Sequence, residues 1–151
     1  NIFCNDRSFA SSNSGTGAGE SKTYYNWGDW HSYESNLKCP QKNDAFTVRD
    51  TTNGNGALIY PIGLITVDEV VLAGGSTRNN GYYLYSGQNW WASSPYNFNN
   101  SIASVRRVLS DGSVSINSVA FANGVRPVIN LKAEVLAQGS GTATDPYHLS
   151  S

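Results

Sequence analysis

Two histidines, two cysteines and eleven acidic residues are the groups in this chain that could move a proton, attack a carbonyl or hold a metal. Their spacing serves none of these uses. His31 and His148 are far apart, with no motif around either. A zinc-protease helix needs HExxH, a nucleophile elbow needs GxSxG, and a phosphate cradle needs a glycine-rich loop ending in Lys; all three patterns are missing. Asn53-Gly54-Asn55-Gly56 is glycine-rich but lacks the strand-to-helix setting of a phosphate loop. Asp68 and Glu69 are adjacent, and neighbouring helix residues point in different directions, so helix capping accounts for them. Asp50, Asp111 and Asp145 stand in turn contexts. Two cysteines with no histidine at ligand spacing make no zinc site, and no loop has the EF-hand register. The expectation is a protein that is not an enzyme and uses no metal and no cofactor.

The chemistry that does stand out is recognition. From Trp90 to Asn123 the chain mixes large aromatics with Asn, Ser and Arg. Rigid aromatics give contact area at low entropic cost, and small polar residues give adaptable hydrogen bonds, the mixture antibody paratopes use. Trp91, Phe98, Val105 and Val119 read as core within this stretch. Asn97, Asn99, Asn100, Ser101, Arg107, Asn117 and Asn123 are polar, lie near loops and are not needed for a core.

The elements that must hold these residues are short. Thr66-Val67-Asp68-Glu69 has capping-box spacing, and Gly74-Gly75 stops the helix it starts after about two turns. Ala57–Tyr60 and Tyr82–Tyr85 read as strands. Asp50–Gly56 and Asn97–Ser101 read as loops, and Tyr24–Leu37 as including a short helix. Ile102–Leu109 and Val114–Phe121 flank Ser110-Asp111-Gly112-Ser113, a hairpin signal. Val125–Leu131 is a last strand, with Pro127 at a strand start or edge.

At 151 residues the chain is one domain, 1–151, long enough to bury a core. Charged residues are 14% and the net charge is −1, so no basic stripe offers itself to nucleic acid. No run approaches the roughly 18–20 apolar residues of a membrane span. Aromatics at 12% argue against disorder. The chain starts at Asn1 and contains no Met, which reads as a fragment or processed product; any membrane attachment would run through an N-terminal anchor outside this sequence. Pairing Cys4 with Cys39 would close a loop around a Gly/Ser-rich segment, stabilise by roughly 3–4 kcal/mol and imply an oxidising compartment. The alternative is two free buried thiols.

Four runs, YPIGLITVDEVVLAGG (Tyr60–Gly75), YLYSGQNWWASSPY (Tyr83–Tyr96), LSDGSV (Leu109–Val114) and NGVRPVINL (Asn123–Leu131), with IFCNDRS at the start, LKCP at Cys39 and GSGTATDPYHL near the end, give a resemblance over nearly the whole chain. The sequence resembles bacterial surface proteins, common in gut Firmicutes, that share a domain of unknown function of C-type-lectin-like type. It is more distantly similar to the formylglycine-generating-enzyme branch of that fold, through Ile65–Glu69 and Gly124-Val125-Arg126. That branch includes the variable proteins of diversity-generating retroelements. The resemblance implies an α+β, C-type-lectin-like fold: short helices flanking small antiparallel sheets, with long irregular loops. It implies a scaffold that includes Ser94, Pro95, Ala103, Ser110–Gly112 and Gly124–Leu131, with Arg126 paired internally. It implies a ligand face of Trp90, Ser93, Asn97, Asn99, Asn100, Ser101, Ser104, Arg106, Arg107, Asn117, Phe121 and Asn123. Tyr96 falls on both lists. Cys4 and Cys39 do not match the catalytic cysteines of formylglycine-generating enzymes, and the Glu-Pro-Asn and Trp-Asn-Asp calcium tripeptides of sugar-binding C-type lectins are missing. Neither oxidase activity nor calcium-dependent sugar binding is carried over.

The leading expectation is an extracellular or cell-surface receptor, diversified through residues 90–123, for a protein or glycan on another cell, a phage or a host. A fixed carbohydrate-binding or adhesin module and a structural pilus or surface-layer subunit are the alternatives.

Overall fold

The structure is a computed structural model and describes residues 2–9, 23–25, 35, 37–75, 77–99, 101–131, 136–140, 142, 144–146, 148 and 149. The helix forms where its capping signal lies. α1 (Val67–Leu72) starts at Thr66, whose side chain accepts from the Glu69 backbone N–H, while the Glu69 carboxylate accepts from the Thr66 N–H. It ends where Gly74 takes φ 101°. Gly75 then donates to the Val70 carbonyl and Gly74 to that of Val71, which satisfies the orphan carbonyls of the last turn. Val67 and Val70 are the buried side of this helix.

The largest sheet has four antiparallel strands in the order β2 (Thr23–Tyr24), β5 (Trp90–Asn99), β6 (Ile102–Val108) and β7 (Val114–Ser118). The β6–β7 hairpin turns where Ser110–Ser113 was expected to turn. Gly112 has φ 82°, and a Cβ there would lie 1.8 Å from the Asn79 carbonyl oxygen, so only glycine fits. Residues 97–99, expected as loop, are strand. Thr23 and Tyr24 pair with Phe98 and Asn97 on one side, and β6 pairs on the other. Two ladders outweigh the weak strand preference of Asn.

Among the described residues there are also three two-stranded sheets: β1 (Phe3–Cys4) with β3 (Ala45–Phe46), β4 (Ile62–Leu64) with β8 (Pro127–Ile129), and β9 (Leu136–Gln138) with β10 (His148–Leu149). Pro127 opens its strand, where it costs no ladder bond. The other expected strands do not form. Leu58 makes a single parallel bridge to Val48, and Tyr82–Tyr85 is a turn closed by Tyr85 N–H to the Tyr82 carbonyl. Tyr82 is held in that turn because its ring is buried in the core. Most of Tyr24–Leu37 lies outside the described residues; Tyr24 itself is in β2. Among the described residues, α1 and one three-residue 3-10 turn (Lys42–Asp44) are the helical elements. The chain is mostly small antiparallel sheet, and the α+β expectation holds only in that coarse form.

The core sits between α1 and one face of the large sheet. Val70, Tyr82, Trp90 and Val108 are its buried members, with Ile65, Leu84 and Val114 packed around them. Each such side chain contributes roughly 1.5–3 kcal/mol by leaving water. Arg126 closes this core: its guanidinium donates to the Leu84 carbonyl and lies 4.9 Å from the centroid of the Trp90 ring. On the other side of the sheet, Cys4 and Cys39 are joined by a disulfide with Cα atoms 5.7 Å apart, a separation normal for such a bond. Asp44, fully buried beside it in sequence space at the end of the 3-10 turn, accepts from the Arg7 backbone N–H at 2.7 Å and from Arg7 Nε at 2.6 Å. The disulfide is consistent with an extracellular protein, and no helix among the described residues is long and apolar enough to cross a membrane.

Candidate functional site

Register decides which side chains share a face. Successive strand residues point to opposite sides. Trp90 is paired with Val108 and Arg106 with Ile116, so these four face α1. Trp91 is paired with Arg107 and Val105 with Asn117, so these face away from it. On that second face an apolar cleft of about 450 Å³ opens. Trp91, Ser93, Val105 and Val119 form its floor, and β1, β3 and β4 supply the far wall through Phe3, Phe46, Ile62 and Leu64. Phe3 lies flat on Gly63, where a Cβ would come within 2.5 Å of the ring; that glycine lets the N-terminal strand close the wall.

One of the expected ligand residues, Ser93, lines this cleft, and three more neighbour its floor without lining it. Ser93 lines it, its backbone N–H bonded to the Ile65 carbonyl at 2.9 Å. Arg107 stands across the ladder from Trp91 and donates from Nη1 to Asn123 Oδ1 at 3.2 Å. Asn117, opposite Val105, is half-buried. Asn123 is fixed by the next residue: Gly124 donates to the Asn89 carbonyl and accepts from the Trp91 N–H, both at 2.9 Å. Phe121 follows two residues after Val119 and is 63% exposed.

The others lie elsewhere. Trp90 is 2% exposed and Arg106 3%, so both side chains are buried in the protein's interior. The cause is period-two alternation, which turns one member of each doublet inward. Burial pushes the Arg106 guanidinium down to about 10, partly offset by Tyr96 and Asp68, so it remains charged at neutral pH. It lies 4.5 Å from the Tyr96 ring centroid, and Tyr96 meets Tyr24 edge-on at 5.7 Å. That contact gives Tyr96 a scaffold role. Ser104 and Asn97 are cross-strand partners on the α1 side of the sheet's far end, followed by Asn99, opposite Ile102. Ser101 is exposed at the hairpin tip. Asn100 and His31 lie outside the described residues.

Sequence reasoning missed the far wall. Phe3, Phe46, Leu58, Ile62 and Leu64 come from short strands and loops widely spaced along the chain, and no local pattern links them. Trp91, Val105 and Val119, read as core, form the floor of an open cleft instead.

The remaining titratable groups serve turns. Hydrogen bonds from the Ser113 side chain and backbone hold the Asp111 carboxyl below the usual range, and those from Asn53 and Thr52 do the same for Asp50. His148 is exposed on β10. Among the described residues no three His, Cys, Asp or Glu side chains gather where they could hold a metal ion. The arrangement is an apolar cleft with a cation and two amides beside it. No family model matches the chain, and neither a curated protein nor a solved structure matches it.

Proposed function

We propose that this chain is a ligand-binding domain of C-type-lectin-like fold, displayed outside the cell, whose binding face lies within residues 90–123. The observation that carries this reading is the cleft of about 450 Å³ with Arg107, Asn117 and Asn123 beside it. Small-molecule and side-chain pockets have this make-up: an apolar hollow with a few polar groups that fix orientation. The face is mounted on β5, β6 and β7, the longest strands among the described residues, so its side chains can change without loss of the ladder beneath.

The resemblance to variable proteins of diversity-generating retroelements extends the reading to a diversified receptor for a protein or glycan. Deep sequencing of this gene in one bacterial population tests it. Substitutions should gather at codons for Asn97, Asn99, Asn100, Ser104, Asn117 and Asn123 and spare Trp90 and Arg106, which are buried. An even, sparse spread would remove diversification. A fixed adhesive module is the second reading, favoured because Phe3, Phe46, Leu58, Ile62 and Leu64 of the cleft lie outside residues 90–123.

A further inference from the structure

Arg107 carries a charge that its surroundings do not answer. Its Nη1 donates to an amide oxygen of Asn123, a neutral partner. Its Nε is buried with no acceptor, and so is the Nδ2 of Asn123. No acidic side chain among the described residues pairs with Arg107; the ion pairs of Arg7 with Asp44 and of Arg78 with Asp111 lie elsewhere. A partly buried guanidinium and an amide N–H₂ left as donors fit a carboxylate, which is acceptor-only and can take two parallel N–H bonds.

The position of this cation matters as much as its charge. Arg107 is directly across the ladder from Trp91 and two residues along the same face from Val105. Both neighbours are floor residues of the apolar cleft, whose lining contains no charged side chain. A volume of about 450 Å³ lies within the range of roughly 300–1,000 Å³ typical of small-molecule sites.

We infer that the cleft and Arg107 form one site for a small hydrophobic carboxylate, with the hydrocarbon body on Trp91, Val105 and Val119 and the carboxylate on the Arg107 guanidinium. The inference rests on the reading of this face as a binding surface and names the chemistry it takes. A neutral ligand would leave the guanidinium unanswered, and a cationic one would be repelled.

The test is displacement of the neutral fluorescent probe N-phenyl-1-naphthylamine from the full chain at neutral pH. The probe should bind saturably. Decanoate should displace it at about tenfold lower concentration than decanol, the effect of one charge-assisted hydrogen-bonded contact. Arg107→Gln should bring decanoate level with decanol while probe binding persists, and Arg107→Lys should keep part of the preference. Val119 is 57% exposed, so Val119→Asp should fold, as circular dichroism would show, yet lose the probe. Equal displacement by decanoate and decanol in the wild type, or a preference that survives Arg107→Gln, overturns the inference, as does the lack of saturable probe binding. None of these outcomes alters the population-sequencing result, so failure here is distinct from failure of the receptor reading.

Discussion

Two doublets, Trp90-Trp91 and Arg106-Arg107, put identical side chains on opposite faces of one sheet. Towards α1, Trp90 is buried against Val70 and Val108 beneath the Arg126 guanidinium, and Arg106 is buried over Tyr96. Towards the cleft, Trp91 and Arg107 are only half-buried, and Arg107 has one neutral partner. The residue type is constant; the face differs. On the α1 side the chain buries both side chains itself. The cleft side is left with open apolar surface beside a half-buried cation.

The largest expected difference between the faces comes from the tryptophans. Trp90→Ala empties a packed core and should cost about 3–5 kcal/mol in urea unfolding, whereas Trp91→Ala, on an open cleft, should cost less than half as much. Equal costs would erase the distinction between the faces. Next comes the disulfide, whose Cys4 is part of the cleft. Replacing both cysteines with serine should lower stability by about 3–4 kcal/mol and abolish probe binding while the α1-side core stays native, as near-ultraviolet dichroism of the tryptophans would report.

The arginines should follow at smaller scale. Arg106→Ala removes a buried stem and a desolvated cation–π contact and should cost about 2–3 kcal/mol, against less than about 1 kcal/mol for Arg107→Ala. Paired denaturation curves decide this. The smallest effect belongs to the β6–β7 turn, which serves both faces equally. The Asp111 carboxyl is depressed by Ser113, so its contribution is complete above the ordinary value of 3.8 and is lost as pH falls through the lower native value. The stability gap between wild type and Asp111→Asn should therefore be constant at neutral pH and close in acid.

Local signals were the legible part of this molecule. The capping box at Thr66, the glycine stop at Gly74 and the turn at Asp111-Gly112 each need only a few neighbouring residues, and each appears where its residues stand. The extension of β5 through Asn97 and Asn99 was not legible, since its cause is pairing with Thr23 and Tyr24, more than seventy positions earlier in the chain. The same holds for the doublets. The family resemblance puts Trp90 and Arg106 on the ligand face, and only the register of β5 against β6 shows that they face inward. The cleft itself was invisible because its floor and far wall come from five strands that meet only after each has found its partner.

The contact of Phe3 with Gly63 carries a consequence for the order of assembly. β1 rests on β4, and β4 takes its own ladder partner from Pro127–Ile129. The first strand thus docks on an element that is incomplete until nearly the whole sequence is present. Such long-range closure is slow, because the entropy of a large loop must be lost before any contact is gained. β1 has its ladder partner β3 once residue 46 is present, but the Phe3 face must wait for β4 and the late strand that completes it. A covalent tie from Cys4 to Cys39, which needs only the first forty residues, would keep that strand close to its landing place in the interval.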